Sequence, residues 1–305
     1  MYDIIIIGAG PAGLTAAIYA RRAGKTVLVL ERSSIGGQMT FSPKIENYPG
    51  FCEISGIELA DKMVDQALTL GAEIEPCAVQ AVSRDDARSA FSVETDDGER
   101  LARAVIIASG AAHRRLGLEG EDALIGHGIS FCAVCDGAFY KDRRVAVIGG
   151  GNSAIVEAAM LADVASDVYV IQDMPTLTGE AAAAAALAER KNVHIRCGCR
   201  VSGYIENGGR LCGLSITTAD GEEELLVDGA FIAIGLKPEN EPFAGVASTD
   251  ARGYIISDDT AKVGTPGVFV AGDCRVKSVR QISTATADGA VAALAAAAYI
   301  DSLGD

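Results

Sequence analysis

The sequence of 305 residues is poor in several features that mark particular classes of protein. Lys and Arg number 26 against 41 Asp and Glu, so the net charge of -15 argues against a nucleic-acid-binding protein, which needs a basic face. The chain has only three His, and its eight Cys are too few for a disulfide scaffold. Cys197 and Cys199 form a close pair, but their spacing is not the usual zinc clamp. We therefore expect neither a metal site nor a nucleic-acid partner.

The sequence also lacks an apolar run of membrane-spanning length that is free of charge. The nearest case, AVAALAAAAYI at 290–300, is mostly Ala and follows Asp288, which predicts a buried helix near the C-terminus. The N-terminus begins with the strand-like YDIIIIGAG instead of a basic region and a cleavage site. We expect a cytoplasmic protein with no membrane role.

What the chain does contain is a dinucleotide-binding pattern at its start. With 49% hydrophobic and 22% charged residues, its composition fits globular cores, and its length allows two domains. The apolar run Ile4 to Ile7 leads into GAGPAG, which is G-x-G-x-x-G at Gly8, Gly10 and Gly13, and then into the helical LTAAIYARRAG. The following strand TVLVLE ends in Glu31, placed to bind a ribose hydroxyl. The order of these segments predicts a dinucleotide site.

The same pattern recurs in the middle of the chain. A strand at 144–148 runs into Gly149, Gly151 and Ala154, giving G-x-G-x-x-A, and a helix and a strand at 167–171 follow. Near the C-terminus, GVFVAGDCRV reads as a strand ending in Gly272-Asp273, followed by a helix in RQISTATADGAVAAL. An acid at a strand end can hold a ribityl or ribose chain, so this late segment is expected to complete the first site.

The second pattern is therefore an insertion in the first. We predict an α/β protein of two Rossmann-like, three-layer domains. The outer domain is expected to comprise residues 1–112 and 246–305, and the inserted one residues 113–245.

The stretch ISFCAVCDGAFY at 129–140 indicates redox chemistry. Cys132 and Cys135 have the Cys-x-x-Cys spacing, at which two thiolates can close a disulfide and be reopened by exchange. Asp136 follows directly. The pair predicts a redox-active disulfide, which requires an electron source.

Taken in order, these motifs resemble the low-molecular-weight thioredoxin reductase family over nearly the whole chain. The resemblance rests on GAGPAGLTAAIYA, GGQ at 36–38, ENYPGF at 46–51, ASGA at 108–111, CAVCDGAF at 132–139, GGGNSA at 149–154, AIG at 233–235, and AGD with RQ at 271–281. It implies FAD in the outer domain, a pyridine-nucleotide-type inserted domain that carries the Cys pair, thioredoxin or a similar CxxC protein as partner, and a homodimer.

The resemblance also implies roles for individual residues. Cys135 faces the flavin, Cys132 exchanges with the substrate disulfide, and Asp136 is the general acid and base. The FAD contacts are expected at Gly8, Gly10, Gly13, Glu31, Gly37, Gln38, Asn47, Asp273, Arg280, Gln281 and Ile282. The first three glycines and Glu31 are supported by the motif pattern as well.

The chain departs from the family where NADPH would bind. Members that use NADPH place a His and two Arg at the ribose-reading position, with another Arg a few residues on, because a 2'-phosphate needs cationic donors. Here the residues are Gln172, Asp173, Met174 and Thr178, so NADPH is disfavoured. Asp173 or Gln172 could instead bond the ribose hydroxyls of NADH. Asp173, however, lies one residue after the ribose-reading position, where side chains of a strand point to the opposite face. Alternatively, the second fold is a vestigial nucleotide site, and a ferredoxin-type protein donates the electrons.

Two other functions use the same residues. A flavin-dependent dithiol oxidase would run in the opposite direction, closing small dithiols and passing electrons to oxygen. A non-catalytic FAD-binding redox sensor would bind the flavin but turn over with no donor. The intact CAVCD makes the sensor the weaker alternative.

Overall fold

The computed structural model describes residues 1–42 and 44–304, which separate into two compact units. Unit 1 contains Met1–Ala112 and the chain from Lys237 to the C-terminus, and unit 2 contains His113–Leu236. The chain thus re-enters unit 1 at Lys237, earlier than the expected position 246. The physical reason is that Phe243 and Val246 are buried in the apolar core of unit 1.

Unit 1 is built on a seven-stranded sheet in which β1 is central. The elements of this unit are β1 (Tyr2–Ile7), α1 (Pro11–Arg22), β2 (Val27–Glu31), α2 (Gly56–Thr69), β3 (Glu73–Pro76), β4 (Val79–Asp85), β5 (Ala90–Thr95) and β6 (Gly98–Ile107). The order is β3-β2-β1-β6-β5-β4, and a late strand also pairs with β6. The strands β3, β2, β1 and β6 are parallel, whereas β5 and β4 join antiparallel.

The layers of unit 1 follow from its uninterrupted apolar strands. Ile4 and Ile6 face one core, and Ile5 and Ile7 face the other, because successive side chains of a strand point to opposite faces. Both cores are formed by buried apolar side chains, as expected for a parallel sheet covered on both faces. The helices α1 and α2 pack in the first core together with the long C-terminal helix.

Unit 2 repeats the design around a five-stranded parallel sheet. Its elements, after β7 (Ala111–His113) at the transition, are α3 (Glu121–Leu124), β8 (Ile129–Ser130), α4 (Ala133–Asp136), β9 (Arg144–Ile148), α5 (Asn152–Ala162), β10 (Asp167–Gln172), α6 (Ala181–Ala188), β11 (Val193–Cys197), β12 (Arg200–Asn207), β13 (Arg210–Thr218), β14 (Gly221–Leu226) and β15 (Gly229–Ile232). The sheet order is β11-β10-β9-β15-β8. The helices α5 and α6 cover one face, and the antiparallel sheet β12-β13-β14 packs in the core of the other.

The chain then returns to unit 1. β16 (Leu236–Pro238) pairs with β7, β17 (Val268–Val270) adds to β6, and α7 (Ile282–Ser302) closes the chain. The strand expected to end in Gly272-Asp273 ends at Val270, because Gly272–Cys274 forms a 3-10 turn with Gly272 at a φ of 79°. Across residues 1–42 and 44–304, no helix has the length and apolarity needed to cross a bilayer. The α/β class and the two Rossmann-like sheets predicted from the sequence are confirmed.

We expect Gly289→Ala to destabilise unit 1. Gly289 lies in α7 at the point where this helix approaches α1, and a methyl group there would overlap the backbone carbonyl of Ala12. Because a helix backbone cannot move aside as a flexible side chain can, overpacking of this kind costs about 1–3 kcal/mol. Thermal unfolding followed by circular dichroism measures the loss. Gly264→Ala is the matched control, since a methyl group at Gly264 meets open space, and equal midpoints for the two variants would contradict the prediction.

Candidate active site

The Cys pair lies at the start of the short helix α4. Cys132 is the N-cap residue, and its Sγ is bonded to Sγ of Cys135 in a disulfide with the two Cα atoms 5.3 Å apart. The backbone N–H of Cys135 donates to the Cys132 sulfur at 3.2 Å. A single helical turn therefore brings the two sulfurs together, so the structure joins the pair that the sequence predicted to be redox-active.

Asp136 lies directly after the disulfide and is held by a serine. Ser130 Oγ donates to Asp136 Oδ2 at 2.6 Å and accepts the N–H of Cys132 at 3.1 Å. Asp136 Oδ1 is buried and has no hydrogen-bond partner among the described residues. Burial raises the pKa of this carboxyl, and the Ser130 hydrogen bond opposes the shift. A carboxyl with a raised pKa beside a disulfide is suited to protonate a departing thiolate.

Sequence analysis missed two residues of this site, Ser130 and Glu157. Ser130 ends β8, and no motif marks it. Glu157 is in α5, and its Oε2 accepts the N–H of Ala133, between the two cysteines, at 3.4 Å. Burial raises the pKa of Glu157 to about 7, and the Ala133 hydrogen bond opposes this shift. Only the packing of α5 against α4 reveals that this acid belongs to the site.

The raised pKa predicts that Glu157 makes stability depend on pH. The folded protein holds this proton more tightly than the unfolded chain, so the stabilisation is complete below the ordinary pKa of 4.5 and is lost as the pH rises to about 7. The full difference is about 3 kcal/mol at most. The difference in unfolding temperature between Glu157→Gln and the wild type is therefore expected to favour the variant more at pH 8 than at pH 5. The exposed Glu189→Gln is the control, and a difference that does not change with pH would show the expectation to be wrong.

In unit 1, the glycines of GAGPAG form a tight turn between β1 and α1. Gly8 has a φ of 108°, and a side chain on Gly13 would overlap the Gly8 carbonyl, so both positions exclude other residues. Gly10 is the N-cap residue of α1, and its missing side chain leaves open space. The turn exposes the N-terminus of α1, where a pyrophosphate can lie.

Other predicted FAD residues gather around this turn. Glu31 ends β2, and its carboxylate accepts the N–H groups of Ala9 at 2.7 Å and Ser33 at 2.9 Å. The 3-10 turn that starts at Gly37 and includes Gln38 lies beside Gly10, since a methyl group on Gly37 would be 3.3 Å from the Gly10 Cα. A cleft at the ends of β1 and β2 is lined by Gly8, Glu31, Arg32 and Ser109. Of these, the sequence did not single out Arg32 or Ser109 individually, although Ser109 lies within the ASGA motif.

The C-terminal residues form a second group in unit 1. Asp273 lies in the 3-10 turn after β17, and Arg280 Nε donates to its carbonyl at 3.3 Å. Asn47 Nδ2 donates to Oε1 of Gln281 at 3.2 Å, which brings ENYPGF beside RQ. Gln281 is the N-cap residue of α7, and Ile282 is the first residue of that helix.

These residues fit FAD. Asp273 Oδ1 is buried without a hydrogen-bond partner among residues 1–42 and 44–304, and burial raises the pKa of this carboxyl. A buried acceptor of this kind is costly unless a ligand hydroxyl satisfies it, and the ribityl chain of FAD offers such hydroxyls. The open space at Gly10 supplies room for a pyrophosphate. FAD would be held by the glycine turn, Glu31 and Asp273, and it would supply two-electron transfer.

The glycine turn of unit 2 has the same shape as that of unit 1. Gly149 has a φ of 131°, Gly151 is the N-cap residue of α5, and Ala154 is fully buried beneath the turn. A methyl group on Gly149 would lie 3.5 Å from the Ala154 side chain, and it would overlap the Ala233 carbonyl. Gly149 is thus required by close packing whether or not a nucleotide binds, whereas a side chain on Gly151 would meet open space.

The segment QDMPTLTGE at 172–180 lies against this turn. Gln172 is buried, with its side chain directly beside Gly150, whereas Asp173 is exposed. The N–H groups of Thr178 and Gly179 donate to the Gly150 carbonyl at 2.8 and 3.0 Å, and that of Glu180 donates to the Asn152 side chain at 2.7 Å. The segment contains two acids and no Lys or Arg.

Comparison with known proteins identifies the family of the chain. The pyridine nucleotide-disulphide oxidoreductase family matches residues 2–289. The thioredoxin reductases of Listeria monocytogenes and Bacillus subtilis are each 41% identical over 305 residues, which is 99% of this chain and 95% and 96% of the respective relatives. The crystal structure of thioredoxin reductase from Streptococcus pyogenes superposes with a TM-score of 0.94 at 37% identity, covering 99% of each chain. The predicted family, enzyme class and cofactor are therefore confirmed: the chain belongs to the thioredoxin reductases of the pyridine nucleotide-disulphide oxidoreductase family and is an FAD-dependent oxidoreductase.

Proposed function

We propose that the protein reduces the disulfide of thioredoxin or of a similar CxxC protein, using electrons that FAD passes to the Cys132-Cys135 disulfide. The observation that carries this proposal is the disulfide in α4 with Asp136 directly behind it. In the reduced protein, the Cys132 thiolate attacks the partner disulfide, and the Cys135 thiolate then displaces the partner by attacking Cys132. Asp136 gives a proton to the departing sulfur and is protonated again before the next turnover.

We further propose that the electron donor is not NADPH. Recognition of a 2'-phosphate requires cationic donors at the end of the second strand of a Rossmann fold. The corresponding segment here is 172–180, which carries Asp173 and Glu180 but no Lys or Arg. A carboxylate at this position repels a phosphate, so the phosphate-specific part of NADPH affinity is missing.

A ferredoxin-type protein is the donor that the packing of unit 2 supports better. Gln172 fills the space beside Gly150, and the backbone of 178–180 bonds to the glycine turn that a pyrophosphate would approach. The second candidate donor is NADH, which is favoured by the exposed carboxylate of Asp173 directly after β10. An acid near this strand end is the usual ligand of an unphosphorylated ribose.

Anaerobic titration of the flavin spectrum distinguishes the donors. We expect NADPH to leave the flavin absorbance nearly unchanged at concentrations well above those that an ordinary reductase requires. A reduced ferredoxin is expected to bleach it, and bleaching by NADH instead would select the second candidate. Efficient bleaching by NADPH would refute the argument from residues 172–180.

The same preparation tests the remaining alternatives. A dithiol oxidase would be reduced by a small dithiol and would consume oxygen, whereas the proposed reductase passes electrons from the reduced protein to thioredoxin. A sensor would bind FAD and turn over with none of the three donors. The homodimer implied by the family resemblance and the cytoplasmic location expected from the sequence stay predictions. Sedimentation of the holoprotein tests the first of them.

A further inference from the structure

A second carboxyl group, besides Asp136, lies beside the redox pair. Glu157 projects from α5 towards α4, where its Oε2 accepts the N–H of Ala133, the residue that follows Cys132. Ala133 is buried, and Glu157 is half-buried where α5 packs against α4. The proposed thiol exchange uses Asp136 and leaves Glu157 without a role.

Among the described residues, no Lys, Arg or His forms an ion pair with Glu157, and the Arg144 guanidinium donates to the Tyr169 hydroxyl instead. The elements packed against α5 are α4, the turn Gly137–Tyr140, β9, β10 and α6. Their titratable groups are Cys132, Cys135, Asp136, Tyr140, Arg144, Asp167 and Tyr169, and α6 has none. Burial raises the pKa of the Glu157 carboxyl, and the hydrogen bond from the Ala133 N–H opposes this shift. Its state is therefore sensitive to any new charge that forms nearby.

We propose that Glu157 is a positioning residue of the redox pair that takes up a proton when the Cys132-Cys135 disulfide is reduced and releases it when the disulfide forms again. Reduction adds two electrons and two protons to the disulfide and the Glu157 carboxylate. The S–S bond breaks, and the products are one thiolate, one thiol and a neutral Glu157 carboxyl. When the partner disulfide is reduced, the S–S bond re-forms and both protons leave with the two partner thiols.

The coupling follows from the repulsion of like charges. A carboxylate and a thiolate in the same partly buried region disfavour each other's ionised forms, so one proton is shared between Glu157 and Cys132. The neutral carboxyl allows the Cys132 thiolate to form, and the thiolate is the nucleophile of exchange. Asp136 has a different task, since it passes a proton on to the departing sulfur and regains that proton from Glu157, so the total stays at two protons.

The proposal rests on the proposed thiol exchange at Cys132, but its test needs neither an electron donor nor thioredoxin. The FAD-loaded protein is reduced with a small dithiol, freed of the reductant without oxygen, and alkylated with iodoacetamide between pH 5 and 10. Mass spectrometry then follows the alkylation of Cys132. We expect Glu157→Gln to lower the apparent pKa of Cys132 by about one unit, because a like charge is removed. Glu157→Asp, which keeps the carboxylate, should retain much of the wild-type profile, and Glu189→Gln should retain it fully.

A merely structural role for Glu157 would change FAD content or folding but not the titration of Cys132. An unshifted Cys132 profile in a folded Glu157→Gln variant would overturn the proposal. If this variant does not fold, the pH profile of Cys132 alkylation in the wild type provides the test. Its Cys132 profile is expected to show two inflections, one from each member of the coupled pair, and a single inflection would overturn the proposal. A failure of thioredoxin reduction with both inflections present would reject the proposed function and not this inference.

Discussion

Cys132→Ser and Cys135→Ser are each expected to abolish thioredoxin reduction while FAD stays bound. Thiol exchange needs one sulfur to attack the partner and a second to release it, so neither variant can complete a cycle. Removal of an essential nucleophile lowers turnover by at least about a thousandfold. The FAD residues are in unit 1, whereas both sulfurs are in unit 2, so the flavin absorbance should be unchanged.

Cys52→Ser is the matched control, because Cys52 is an exposed free thiol in the same chain. Its turnover should equal that of the wild type. The two active-site variants should also differ from each other, since only the Cys132 thiolate in Cys135→Ser can trap a thioredoxin as a stable mixed disulfide. Turnover that persists in either variant would remove the assignment of CAVC as the redox pair.

The second large effect is expected from the combined substitutions Asp173→Arg, Met174→Arg and Thr178→Arg. Each charge-assisted contact to a phosphate contributes about 1.5–3 kcal/mol, so even two restored contacts should raise NADPH reactivity by at least about a hundredfold. All three positions are exposed, so the new side chains need not disturb the core. Stopped-flow measurement of flavin bleaching at increasing NADPH concentration gives the size of the effect.

Gln at the same three positions is the control, since it keeps the length and polarity of the side chains without their charge. A gain that appears with Arg but not with Gln identifies the missing cations as the reason why NADPH is a poor donor. No gain in either variant would indicate that Gln172 and residues 178–180 block the glycine turn by themselves. A protein donor would then be the stronger proposal.

Local sequence patterns predicted the regular elements well where the pattern is long and apolar. The strand predicted at 144–148 is β9, and the strand predicted at 167–171 is β10. Prediction was less accurate where the backbone bends sharply. β17 ends before Gly272, because the glycine adopts a left-handed conformation that stops the ladder. The domain boundary expected at 246 lies at 237 in the structure. An isolated apolar residue such as Phe243 does not reveal from the sequence which of the two cores it joins.

The sequence by itself determined the glycine turns, the Cys pair and the order of the two nested folds. Each of these features is recognised from residues that are close along the chain. A left-handed glycine, a disulfide within one helical turn and an acid at a strand end need no distant partner to be recognised. Ser130, Glu157 and the contact of residues 178–180 with Gly150 were decided only by the tertiary structure. Their roles arise from burial and from hydrogen bonds between separate elements. Burial changes the proton affinity of a carboxyl such as Glu157, and that change is set by the packing of α5 on α4 and is not encoded by any short motif.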